Sequence, residues 1–394
     1  MKRLSSIILP CITIVTLATL LLLSSTGASA AAPQRQHNSC GVWSTVSSPN
    51  PGTSYNSLNG VAAISANSIW AVGSHGNGNG SLTLIEHWNG TQWKVVPSPN
   101  VNNSLTDSLS GVIAIAANNI WAVGGYNDAS NNALTLIEHW NGTKWSIVPS
   151  PNVASLSNGL SAISAVSATD IWAVGNASGN NGFQPLIEHW NGTNWTIATS
   201  TGTVQLTGVA AIASNNAWAV GNISSPNLIQ TLVEHWNGTT WSVVSSSGPG
   251  GAYNTLNGVA AISANNLWAV GDDAMNITPH TDYLPLIEHW NGTSWSVVKS
   301  PMTGNSDLLN GIAAVSASSI WAVGDYRTSL DPQGPYFTLI EHWNGTSWSV
   351  VNSPSPGSTA SDLLAVARVP ATHNVWSVGF TQGSIYQTLT EFRC

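Results

Sequence analysis

Six adjacent pairs invite a chemical reading first: Glu86-His87, Glu138-His139, Glu188-His189, Glu234-His235, Glu288-His289 and Glu341-His342. A carboxylate beside an imidazole can transfer protons or bind a metal ion. Neighbouring residues on a β-strand, however, point to opposite faces, so one pair cannot close on one ion. The pairs are therefore expected to be structural. Each Glu should be buried and accept hydrogen bonds from a Trp N–H or a backbone N–H, because a buried carboxylate needs partners.

Two other groups could bind a ligand. Asp272, Asp273, His280, Asp282 and Tyr283 read as one loop, and Asp325, Tyr326, Arg327, Asp331 and Tyr336 as another. Aromatic rings beside carboxylates suit sugar recognition, by stacking and hydroxyl hydrogen bonds. The same oxygens could ligate calcium. A third group, Asn59, Ser110, Ser161, Thr207, Asn257 and Asn310, holds one repeated position, with Leu364 in the last copy. This ring of small polar groups would stand at a channel mouth, holding a polar ligand or lining a wet channel. No catalytic residue, cofactor or metal site is assigned. No G-x-S-x-G or H-E-x-x-H occurs, and Gly76-x-Gly78-x-Gly80 precedes a strand, so it offers no helix N-terminus to a phosphate. Each Asn-Gly-Thr is formally a glycosylation acceptor, but turn chemistry accounts for it.

The Glu-His pairs open a longer stretch, E-H-W-N-G-T-x-W, first at residues 86–93 and then in five further copies. The period is about 50 residues, which signals stacked supersecondary units. The first unit reads as four strands: A at 58–64, B at 69–73, C at 82–88 and D at 91–96. Asn89-Gly90 predicts a two-residue hairpin turn. That turn would set Trp88 opposite Thr91, His87 opposite Gln92 and Glu86 opposite Trp93. Four short strands per unit describe a propeller blade. The strand B tryptophan occurs at 70, 121, 172, 218, 268, 321 and 376, which gives seven blades. All 20 tryptophans fall in three repeat columns, on strands B, C and D. The fold class is all-β, a seven-bladed β-propeller of four-stranded blades.

The chain ends add context. Residues 1–30 read as a secretory signal: Lys2 and Arg3, an apolar run from Ile7 to Leu23, then Ala28-Ser29-Ala30. Residues 31–39 read as a mobile arm and 40–394 as the propeller. Removing Lys2 and Arg3 from the 9 basic residues leaves 7 against 17 acidic ones. That balance argues against nucleic acid or an anionic membrane as partner. No later stretch is long and apolar enough to insert in a membrane. A secreted, extracellular or surface-associated monomer is expected.

The seventh copy of the E-H-W-N-G-T-x-W stretch is broken. Glu391, Phe392 and Arg393 take the places of Glu86, His87 and Trp88, and Cys394 falls at the Asn89 position. From the other end, Trp43 takes the place of Trp93 and Cys40 that of Gly90. Residues 40–46 would thus complete blade 7, closing the ring by pairing the N-terminal strand with the C-terminal blade. A Cys40–Cys394 disulfide would bridge the open turn, as an even pair in an oxidising compartment suggests.

The pattern I-W-A-V-G, loop, L-I-E-H-W-N-G-T-x-W resembles the kelch repeat of kelch proteins and of the galactose oxidase propeller. It departs at the kelch double glycine, present only as Gly124-Gly125. The W-x-V-G strands also look similar to secreted tectonin-type lectins, which implies sugar binding between blades. The D–A and B–C loops vary while the A–B and C–D turns are uniform. Variable loops on a rigid scaffold are where binding resides. The functional expectation is a non-catalytic binding or adhesion module that takes a glycan or protein on its variable-loop face. The alternative is an extracellular glycan lyase or hydrolase, which would need two carboxyls at a set separation.

Overall fold

A computed structural model describes residues 40–394, apart from 79, 154–156, 180–181, 201–203, 226–227, 275–281, 330 and 332–333. The expected signal and arm, and His280, lie outside the described residues. Those residues form 28 strands, and none of their helices is long and apolar enough to cross a membrane.

The strands pair as seven antiparallel sheets of four. Sheet 1 comprises strand A (Tyr55–Ser65), B (Ser68–Gly76), C (Ser81–Trp88) and D (Trp93–Val95). Sheets 2 to 6 repeat this order along the chain. Sheet 7 draws strands A to C from Ala360–Arg368, Val375–Gln382 and Tyr386–Arg393, and strand D from Ser44–Thr45. Ser44 pairs with Phe392 and Thr45 with Glu391, so residues 40–46 do supply strand D of sheet 7, but Glu391 does not face Trp43 as the expected turn would have set it. The Cys40–Cys394 disulfide is formed, with its Cα atoms 4.9 Å apart.

The C–D hairpin differs from expectation. Trp88 pairs with Trp93, His87 with Lys94 and Glu86 with Val95, so the connection has four residues rather than two. The cause is the Asn89 side chain. Its Oδ1 accepts hydrogen bonds from the Thr91 N–H (3.0 Å), the Thr91 hydroxyl (2.8 Å) and the Gln92 N–H (3.1 Å). An Asn that folds the backbone onto its own side chain makes an Asx turn. Only Gly90 has positive φ, at 94°, whereas the two-residue turn needs it at both central positions.

Tryptophan packing joins neighbouring sheets. Trp172 of sheet 3 stacks on His189 of its own sheet at 4.1 Å. It also meets Trp236 and Trp241 of sheet 4, at 5.0 and 5.2 Å. The same trio recurs from sheet to sheet. Trp376 of sheet 7 meets Trp88 and Trp93 of sheet 1, at 5.1 and 5.2 Å. Where Arg393 replaces the strand C tryptophan, its guanidinium lies 4.7 Å from the Trp321 ring, a cation–π contact. Trp172 is 1% exposed and central to such a cluster. Trp172→Ala should cost about 3–5 kcal/mol, read as a lower denaturant midpoint; an unchanged midpoint would show that the seam does not depend on it.

The two kinds of connection lie at opposite ends of each sheet. Trp88 Nε1 donates to Ala66 O, which joins the C–D end to the A–B turn. Thr53, Leu105, Asn305 and Ser358, all in D–A segments, donate backbone N–H groups to the ends of strand B. The variable D–A and B–C segments therefore share one end.

Candidate functional site: an acidic and aromatic end of sheets 5 to 7

The Glu-His pairs do not converge. Each His ring lies on its strand B tryptophan and bonds the first residue of strand B, as His139 Nε2 does with Asn119 Oδ1 at 2.9 Å. The glutamates point the other way and are fully buried. Of the two expected donors, no Trp N–H reaches them and a backbone N–H does so at Glu288, from Ser247; the other partners are serine hydroxyls of the preceding sheet. Ser150 donates to Glu188, Ser200 to Glu234, Ser246 to Glu288 and Ser300 to Glu341. The hairpin register explains this. With Val95 rather than Trp93 opposite Glu86, the indole nitrogen is two residues away along the strand. The carboxyl oxygens of Glu86, Glu138 and Glu391 have no hydrogen-bond partner among the described residues. The corresponding serines, Ser48, Ser98 and Ser353, bond instead to Thr388, Thr83 and Thr338 of their own sheets. Burial raises Glu86, Glu138, Glu188 and Glu341 to about 8, so they remain protonated at neutral pH.

The ring of small polar residues has a definite place. Asn59, Ser110, Ser161, Thr207, Asn257, Asn310 and Leu364 each sit at a register shift in strand A, where one residue is left unpaired as a β-bulge. The longer side chains reach the next sheet. Asn59 Nδ2 donates to Leu109 O (2.9 Å), Thr207 to Leu256 O (2.5 Å), Asn257 to Leu309 O (2.9 Å) and Asn310 to Leu363 O (3.1 Å). These donors are committed to holding sheets together.

The acidic and aromatic residues are the ones the fold gathers, though in part not on loops. Asp272 and Asp273 lie in strand B of sheet 5 (Asn266–Ala274). Asp325, Tyr326 and Arg327 lie in strand B of sheet 6 (Ser319–Arg327), and Tyr336 begins its strand C (Tyr336–Trp343). The ladder continues beyond the W-A-V-G glycine: Asp272 pairs with Thr255 and Pro285, and Asp325 with Leu308 and Thr338. At Gly271 and Gly324 any Cβ would run into the carbonyl oxygen of Thr255 or Leu308, so these positions require glycine. Asp282 and Asp331 are exposed beyond the strands.

Asp272, Asp325 and Asp362 bring three buried carboxyls to consecutive sheets. Asp272 accepts from Asn257 Nδ2 at 2.7 Å, and Asp362 from Asn310 Nδ2 at 2.9 Å. Burial raises Asp272 to about 7; the Asn257 bond opposes the shift, while the charges of Asp325 and Asp273 add to it. Burial likewise raises Asp325 to about 7 against the nearby Arg327. Asp362 is raised by burial and by Asp325. Around them stand tyrosines. Tyr253 and Tyr283 meet edge to face at 5.4 Å, and burial pushes Tyr253 up to about 12. Arg327 lies 5.2 Å from the Tyr336 ring, and Tyr336 shares a hydrogen bond with Tyr386. The electrostatic links among Asp272, Asp325, Asp362, Arg327 and Tyr336 make this one connected patch.

Sequence reading missed Asp362, Tyr253 and Tyr386. Aligning the columns would have found Asp362, since its position is Ser57, Ser108, Gly159, Gln205, Thr255 and Leu308 in the other copies. Among the described residues, no three His, Cys, Asp or Glu side chains form a metal-binding group.

No family model matches the chain, and no curated protein matches it. A solved structure titled "YCF48 bound to D1 peptide" is similar in fold, with a TM-score of 0.54 at 14% identity. The likeness covers 89% of this chain and 95% of that one. The fold is that of a β-propeller. A kelch or galactose oxidase relationship is a finer statement, and the likeness does not extend to it.

Proposed function

We propose that the seven sheets form one closed ring acting as an extracellular binding module, which takes a protein or glycan segment across the variable end of sheets 5 to 7. Ring closure is supported by the packing of strand A of sheet 7 on strand A of sheet 1, and by Trp376 against Trp88 and Trp93. The disulfide suits an oxidising compartment, and so does the signal-like N-terminus.

The observation that carries the ligand reading is the joining of three buried carboxyls, Arg327 and four tyrosines at one end of three consecutive sheets. Tyrosine gives large contact area with a hydroxyl handle, and partly protonated carboxyls both donate and accept. The similar structure holds a peptide, which favours a protein segment. A second reading, glycan cleavage, draws on Asp272 and Asp325: a carboxyl that keeps its proton near neutrality can act as a general acid.

The test is binding of the mature chain to immobilised peptide and glycan arrays, alongside an Asp325→Asn/Tyr336→Ala variant. Binding should fall at least tenfold in the variant. Undiminished binding would move the site elsewhere, and turnover of a polysaccharide by the wild type alone would establish the enzymatic reading.

A further inference from the structure

A separate feature lies on sheet 2, away from the acidic end of sheets 5 to 7. A pocket of ≈ 400 Å³ opens between the connection that enters sheet 2 and the segment that leaves it. Its volume falls in the range of small-molecule sites. Tyr126, at the end of strand B (Asn119–Asn127), supplies its aromatic wall. Asn100 and Asn102 come from the incoming connection, and Pro149 and Asn152 from the outgoing one.

The walls are fixed from both sides. Asn100 Oδ1 accepts from the Thr83 N–H at 2.9 Å, and Asn152 Oδ1 from the Thr135 N–H at 2.9 Å. Ser104 N–H closes a turn onto Val101 O at 3.1 Å, while Val101 and Tyr126 pack against the core shared by sheets 1 and 2. Anchored in this way, the Asn100 amide nitrogen, the Asn102 amide and the Tyr126 hydroxyl make no hydrogen bond among the described residues. Three polar groups with spare capacity thus share one cavity with an aromatic ring and a proline.

Among the described residues no charged side chain lines the pocket, and the charges nearest its tyrosine, Asp128 and Asp107, are negative. That disfavours an anion, offers a cation no carboxylate in the lining, and suits a ligand that is neutral, hydroxyl-rich and apolar on one face. A sugar ring meets all three conditions, with its C–H face on the tyrosine and its hydroxyls on the amides. We infer that this pocket is a binding subsite for a neutral saccharide of one or two rings. The site is particular to sheet 2. The ladder position of Tyr126 is His75, Ala177, Ile223, Asp273, Tyr326 and Thr381 in the other sheets. At Tyr326, the other tyrosine, the ring stands 5.5 Å from Phe337, where Tyr126 has Leu134.

The inference rests on the propeller framework but not on the ligand of sheets 5 to 7, and the test keeps the two apart. Saturation-transfer NMR with the full mature chain would screen neutral monosaccharides and disaccharides, including N-acetylated ones, at millimolar concentration. At least one should bind. Its signal should fall at least fivefold in Tyr126→Ala and in Asn102→Ala, whose circular dichroism should match the wild type. Tyr326→Ala and the Asp325→Asn/Tyr336→Ala variant should keep it. No binding by any sugar overturns the assignment. So does binding that is lost only in the Asp325→Asn/Tyr336→Ala variant, which would at the same time support the site on sheets 5 to 7.

Discussion

Raising the pH from about 5 to about 9 is expected to lower the melting temperature by about 10 °C, a loss of several kcal/mol for a domain of this size. The cause lies in the seams between sheets. Burial lifts Glu86, Glu138, Glu188 and Glu341 from 4.5 to about 8, and raises Glu234, Glu288 and Glu391 as well. A carboxyl raised on folding holds its proton more tightly in the folded chain than in the unfolded one. Its stabilising effect is complete below the unfolded value and drains away as pH climbs through the folded value. Asp272 and Asp325, both near 7, act in the same sense. His87, His139, His235, His289 and His342 act oppositely, since burial lowers them and acid must charge them. Stability should therefore peak on the mildly acidic side of neutrality. Calorimetric scans across this range give the answer, and a flat profile would mean that water reaches the seams. Glu86→Gln, which fixes the uncharged form, should narrow the difference between the two ends.

Breaking the Cys40–Cys394 bridge is expected to have the second large effect. It spans 354 residues, and on the chain-entropy account so long a loop is worth up to about 6 kcal/mol. Other contacts stay in place when it is cut. Ser44 and Thr45 still pair with the last strand, Gly41 N–H still donates to Cys394 O at 3.0 Å, and Trp43 remains buried. The loss should thus appear as a lower denaturant midpoint, and as early protease cleavage near the N-terminal strand, not as failure to fold. Cys40→Ser/Cys394→Ser compared with wild type, each with and without reductant, gives the measurement. Equal midpoints in all four samples would show that non-covalent pairing alone secures the seventh sheet.

The unit of four strands and the place of the two cysteines were legible because each follows from counting positions along a repeat. The hairpin register was not. Asn-Gly signals a turn without stating its length, and the Asn89 side chain, by taking three donors, opened it to four residues. That slip carried through to the glutamates, whose serine partners lie about 34 to 42 residues away, a distance at which the sequence shows no pairing rule. The acidic residues were visible as types, but Asp272 and Asp325 read as loop because they follow a glycine. In fact that glycine is where two strands come closest, and the ladder runs on through it.

Cys40 and Cys394 meet where each of the other sheets makes its Asn-Gly turn, with their Cα atoms 4.9 Å apart. Joining residues 40 and 394 through an Asn-Gly-Thr link and opening the chain at residues 191–193 would give a circular permutant with the same neighbours for every strand. Such a molecule would carry its termini, and anything fused to them, on sheet 3 instead of sheet 7.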